Sequence, residues 1–117
     1  MPAVIVEYHP DTFEEFFSEP LKDFPTLAED LMADFVTYVG TEQLPSTFGR
    51  DAPYTQPYAA FRAHLMHIHL KLPPEKFAEG VPQSDRTCSR KQDAALVYVR
   101  GELEENRYCI LGVLYPH

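Results

Sequence analysis

Hydrophobic and polar positions along the chain change period several times, and each change marks an element. Residues 3–8, AVIVEY, are short, β-branched and apolar, and Pro10 closes the run, so a strand is expected. In DTFEEFF, residues 11–17, Phe13, Phe16 and Phe17 recur at helical spacing. Asp11 is placed to cap this short helix, with Glu14 three residues on, and Pro20 ends it. The strongest pattern is TLAEDLMADFVTYVG, residues 26–40, where Leu27, Leu31, Phe35 and Tyr38 form one apolar stripe. Thr26 and Glu29 read as a capping box, and Gly40 stands where a terminating glycine belongs. Glu29, Asp30 and Asp34 are expected on the solvated side.

Periodicity then disappears. Residues 41–60 carry Pro45, Gly49, Pro53 and Pro57 and read as a long irregular connection with one turn of helix near its end. Loops of that length in a small domain are often functional. Alternation of period two begins at AHLMHIHLKLP, residues 63–73. On a strand, Met66, Ile68, Leu70 and Leu72 point one way, and Leu65, His67, His69 and Lys71 the other. His64 falls on the apolar side, as a core or strand-end histidine. Pro73 and Pro74 stop the strand, and a polar loop over 74–93 holds Arg86, Arg90 and Lys91, the densest basic cluster in the chain. AALVYVR, residues 94–100, and RYCILGVLYP, residues 107–116, read as a β-hairpin.

The element order β-α-α-β-β-β predicts one α+β domain over residues 1–117: a small, mostly antiparallel sheet with two helices packed on one face. The opposite face would display His67, His69 and Lys71, framed by the 41–60 and 81–93 loops.

Composition narrows the function. With 117 residues, 44% hydrophobic, and 15 Phe plus Tyr, the chain builds a core. No apolar run approaches the ~20 residues of a membrane helix, so no membrane association is expected. Two cysteines, Cys88 and Cys109, make no disulfide framework and suit reduced thiols in the cytoplasm. The net charge of −8 argues against a free nucleic-acid binder. That charge is uneven: residues 1–49 hold one base and ten acids, and the remainder holds nine bases and eight acids, so −9 and +1.

Three of the five histidines lie within residues 64–69. His67 and His69, ~6.5 Å apart on a strand, are an H-x-H pair suited either to a metal or to acid–base work. A metal site needs further ligands, and the nearby sequence offers no obvious ones; Asp51, Asp85, Asp93 and Cys88 could join only by folding. No nucleophile elbow, phosphate-binding loop or dinucleotide fingerprint is present, so no cofactor is expected. Metal-free phosphodiester cleavage needs a base, an acid and cations on the phosphate. His67 and His69 are candidates for base and acid. Arg86 and Arg90 are candidates for phosphate stabilisation, with Lys71, Lys91 and Arg50 as further substrate-binding cations. Arg50 with Asp51 also reads as a structural pair holding the long loop. Asp93 reads as a strand-start acceptor, Tyr98 and Tyr115 as core or edge aromatics, and His117 as a further acid–base candidate.

The segments LMADFVTY (31–38), LPSTFGRDAPY (44–54), HIHL (67–70), DAALVY (93–98) and ILGVLYPH (110–117) together resemble the YafO family of toxins from type II toxin–antitoxin systems. The resemblance implies a cytoplasmic, ribosome-dependent mRNA endoribonuclease (mRNA interferase), metal-independent and neutralised by a cognate antitoxin. It also implies a RelE-like fold, in which side chains on the sheet cut mRNA in the ribosome. Two alternatives stay open: a non-catalytic ribosome- or partner-binding module, and a small metal-dependent enzyme using the H-x-H pair.

Overall fold

The computed structural model describes residues 4–72, 75–87, 94–101, 104 and 106–115. Five strands, β1 (Ile5–Tyr8), β2 (Phe48–Pro53), β3 (Met66–Leu70), β4 (Ala94–Arg100) and β5 (Arg107–Leu114), form one sheet in the order β1-β5-β4-β3-β2. Only β1–β5 is parallel; the other three pairings are antiparallel. The α+β reading with a mostly antiparallel sheet therefore holds.

Helix α1 (Pro25–Thr41) lies across one face. Its stripe of Leu27, Leu31 and Phe35 is buried against Ile68, Leu70, Leu96, Ile110 and Val113 from three adjacent strands. Burying a side chain of this size contributes about 1.5–3 kcal/mol. The alternation expected for β3 is observed, since Ile68, Leu70 and Leu72 are all buried.

The ends of α1 differ from expectation. Thr26 and Glu29 form no capping box: the N-cap is Phe24, without a side-chain cap bond, and Pro25 occupies the first turn. Proline serves there because its fixed φ suits the helix and its missing N–H would have had no partner. Gly40 continues the helix, and Glu42 takes the left-handed position at φ 62°, its N–H bonded to the Tyr38 carbonyl.

The first expected helix shrinks to one π-helical turn, Glu14–Ser18, closed by Glu19 N–H donating to the Glu14 carbonyl. Its side chains reach both faces of the sheet. Phe17 enters the core and meets Tyr8 and Phe13 at 4.6 and 5.1 Å, whereas Phe16 reaches the opposite face. Gly112 permits this approach: a Cβ there would lie 2.5 Å from the Phe16 Cβ and 2.7 Å from its carbonyl oxygen.

The irregular connection over 41–60 is corrected most. It contains β2 and then α2 (Tyr58–Arg62). The strand FGRDAP carries Gly, Asp and Pro, residues depleted from strands, so its sequence gives no β signal. It survives as an edge strand, where Pro53 is tolerated.

Candidate active site on the open sheet face

β3 presents its odd residues to the face that α1 leaves uncovered. His67 pairs with Val97 of β4 and Ala52 of β2, and His69 with Ala95 of β4. The imidazole centroids are 5.6 Å apart, on one side of one strand, as alternation requires. The Tyr54 ring stacks on His67 at 4.2 Å and 26°. Tyr54 is held there by its backbone N–H, which donates to the Leu65 carbonyl, continuing the β2–β3 hairpin. Its hydroxyl is buried with no hydrogen-bond partner among the described residues, and burial raises its pKa.

A bulge in β2 positions a cation. Phe48 pairs with Leu70 and Asp51 with Ile68, so Gly49 and Arg50 together oppose the single position of His69. Arg50 is exposed at this bulge, and its backbone N–H donates to the Arg86 carbonyl. Lys71 follows His69 along the chain, with its ammonium 5.4 Å above the Phe77 ring.

Arg86 occupies a different setting from the one its charge suggested. It is buried, and its guanidinium donates to the carbonyls of Val81, Pro45 and Phe48 at 3.0, 3.3 and 3.2 Å. Three carbonyl acceptors and the Phe77 ring, 5.6 Å away, surround the guanidinium. This arrangement ties the 81–87 segment to β2 and leaves no open approach for a phosphate. Gly49 is part of the same joint, since a Cβ there would meet the Arg86 carbonyl at 2.4 Å. Arg90, Lys91, Cys88, Asp93 and His117 lie outside the described residues.

Asp51 does not take Arg50 as its partner. Its carboxylate faces α1 and accepts from Tyr38 Oη at 2.6 Å and from Tyr98 Oη at 2.8 and 2.9 Å. Gln83 completes the cluster by donating to Tyr38 Oη and to the Gly49 carbonyl. Burial raises the Asp51 pKa, and the two tyrosine bonds partly offset it. The pKa of each tyrosine is raised, first by burial and then by Asp51. Tyr98 is thus a core aromatic whose hydroxyl also bonds across the sheet, and with Tyr38 it secures β2 to β4 and α1. His64 is exposed in the turn that precedes β3, in the left-handed region at φ 59°. It is a strand-end residue on the rim of a hollow of about 590 Å³ that Asp51, Tyr98 and Arg100 also line.

Among the described residues, no three His, Cys, Asp or Glu side chains gather as a group that could hold a metal ion. None of the described helices is long and apolar enough to cross a membrane. Tyr54 was not singled out from the sequence, although it ends the stretch LPSTFGRDAPY; no spacing rule connects it to His67 until the hairpin closes.

A family profile described as "Toxin YafO, type II toxin-antitoxin system" matches residues 36–117, which include β2, β3, β4, β5 and both histidines. The chain belongs to this family of toxins. A curated relative, the mRNA interferase toxin YafO of Escherichia coli (strain K12), is 36% identical over 90 residues, covering 74% of this chain. The chain spans 65% of that relative's length. No solved structure matches the chain. The family match begins inside α1, so the acidic segment before it lies outside the shared region.

Proposed function

We propose that this protein is an mRNA endoribonuclease, the toxin of a type II toxin–antitoxin pair, and that it cuts messages on the ribosome in the cytoplasm. The name of the E. coli relative supports mRNA as the substrate. The observation that carries the reading here is the pair His67 and His69, both half-buried on the sheet face that α1 leaves uncovered, 5.6 Å apart.

In this reaction one imidazole takes the proton of a ribose 2′-hydroxyl. The 2′-oxygen attacks the phosphorus, the bond from phosphorus to the 5′-oxygen breaks, and the second imidazolium protonates that leaving oxygen. The products are a 2′,3′-cyclic phosphate and a 5′-hydroxyl. Imidazole suits both roles because its ordinary pKa lies near neutrality. Two rings at this separation can stand on either side of a phosphate. Arg50, at the bulge opposite His69, and Lys71 are the described cations nearest to them in register, and Arg90 and Lys91 are further candidates for the developing negative charge. Arg86 serves this site by holding β2 and its bulge in place.

The charge of −8 supports dependence on the ribosome. A protein with so little positive surface grips free RNA weakly at physiological salt, so positioning has to come from the ribosome. The test is a reconstituted translation reaction beside the same message free in solution. The translated message is expected to be cut, leaving cyclic phosphate ends, with EDTA-treated protein equally active once ribosomal magnesium is restored. Efficient, salt-insensitive cleavage of the free message would overturn ribosome dependence. Activity that required an added transition metal would overturn the acid–base scheme.

A further inference from the structure

His67 and His69 stand in different surroundings, although one strand carries both. Over His67 lies the Tyr54 ring, with centroids 4.2 Å apart and planes 26° from parallel. The register partners of His67, Ala52 of β2 and Val97 of β4, carry no charge. His69 pairs with Ala95 of β4, and across β2 it faces the bulge that carries Arg50. Lys71 lies two residues further along the chain. Both imidazoles are half-buried, so loss of hydration weighs on both and does not tell them apart. Their neighbours do. An aromatic face attracts a cation lying over it, so Tyr54 favours the imidazolium form of His67. Positive charges next to His69 oppose a further one and favour its neutral form. The two rings, 5.6 Å apart, also oppose each other's charge, so a small bias decides which of them carries the proton.

We propose that Tyr54 is a positioning residue that makes His67 the general acid of the cleavage and leaves His69 as its base. The assignment rests on the nuclease reading above. In this step neutral His69 takes the proton of the ribose 2′-hydroxyl, and the 2′-oxygen forms its bond to phosphorus. The bond from phosphorus to the 5′-oxygen breaks, its electron pair stays on that oxygen, and the His67 imidazolium protonates it. His69 ends charged and His67 neutral, and proton exchange with water resets the pair. Tyr54 acts through its ring: its buried hydroxyl has no hydrogen-bond partner among the described residues, so removing it breaks no bond there. The bond from the Tyr54 N–H to the Leu65 carbonyl belongs to the backbone and survives a change of side chain.

Two measurements on the full chain test this. The first needs no RNA: the imidazole Cε1–H signals are followed by NMR against pH. His67 is expected to keep its proton to higher pH than His69. Tyr54→Leu should lower the His67 midpoint by about half a pH unit, and Tyr54→Phe should leave it in place. Loss of cover alone would move the midpoint upward, because a better hydrated ring charges more easily. A His69 that keeps its proton longer, a His67 midpoint that Tyr54→Leu fails to lower, or one that Tyr54→Phe lowers equally would each overturn the proposal. The second measurement uses a translated message with sulfur in place of the 5′-oxygen at its mapped cut site, a leaving group that departs without a proton. His67→Ala, slow on the ordinary message, should cut the sulfur message within about tenfold of the wild-type rate, and His69→Ala should stay about 10²-fold or more slower. Rescue of His69→Ala instead, of both variants or of neither would overturn the assignment. A wild-type protein that cuts neither message would count against the nuclease reading, while the titration still decides the order of the two rings.

Discussion

The two faces of the sheet are built from the same strands and do opposite work. On the α1 side, Ile68, Leu70, Leu96, Ile110 and Val113 are buried under Leu31 and Phe35, with almost no accessible surface. On the other side, His67 and His69 alternate with those residues along β3 but meet only partial cover from Tyr54. Period two in one five-residue strand thus separates the core side chains from the pair proposed to act on RNA. A side chain on the covered face cannot change without disturbing the core, whereas the half-buried histidines of the open face can. The open face is not uniformly polar, however. Ala95 and Val97 are buried there, and the histidines stand at the margin of an apolar groove.

Neighbouring residues of β3 put this division under the most severe test. His67→Ala and His69→Ala are each expected to slow cleavage of translated message by about 10²–10⁴-fold while changing stability by less than about 1 kcal/mol. Primer-extension rates and urea unfolding measure the two quantities. Two fully toxic histidine variants with normal folds would move the chemistry to another part of the chain. Ile68→Ala, between them on the covered face, is expected to cost about 2–5 kcal/mol in unfolding free energy, with any lost activity following lost fold.

Arg86 offers a test of the boundary between the two kinds of residue. Its guanidinium serves three carbonyls, so Arg86→Ala is expected to lose about 1.5–3 kcal/mol of stability. Arg86→Lys keeps the charge but loses the fork geometry, and should be destabilised as well. An arginine binding substrate phosphate would show the reverse, with an unchanged unfolding midpoint and a raised KM for translated message.

The smallest effect concerns pH. Because burial raises its pKa, Asp51 binds its proton more tightly in the folded protein than in the unfolded chain. Its contribution is therefore fully present below the ordinary carboxylate pKa and is lost as pH rises through the raised value. Asp34, raised by burial and by Asp30, acts in the same direction. Asp51→Asn should flatten this part of the fall in thermal midpoint as pH rises above the ordinary carboxylate pKa; an unchanged slope would mean that the tyrosine bonds cancel the effect of burial.

The elements with a strong period were legible from the residues alone. The stripe of Leu27, Leu31 and Phe35, the alternation of β3 and the β4–β5 hairpin are local patterns, because a helix or strand face is selected by spacing within a few residues. That placed both histidines on one face opposite the core, and with the family segments it identified the class of protein. What depends on residues far apart in the chain emerged only on folding. β2 is a strand because β3 pairs with it and because Tyr38 and Tyr98 satisfy Asp51, and nothing in FGRDAP itself favours extension. Arg86 became a buried joint because the carbonyls of Pro45 and Phe48 converge on it from 41 and 38 residues away in the chain. Tyr54 reached His67, and Phe16 reached the groove, only when a hairpin closed and a π-turn crossed the sheet edge at Gly112. Local periodicity carries the first group because its energetics are summed over near neighbours. The second group depends on which distant polar atoms remain to be satisfied once the core has formed, and no short window of sequence contains that.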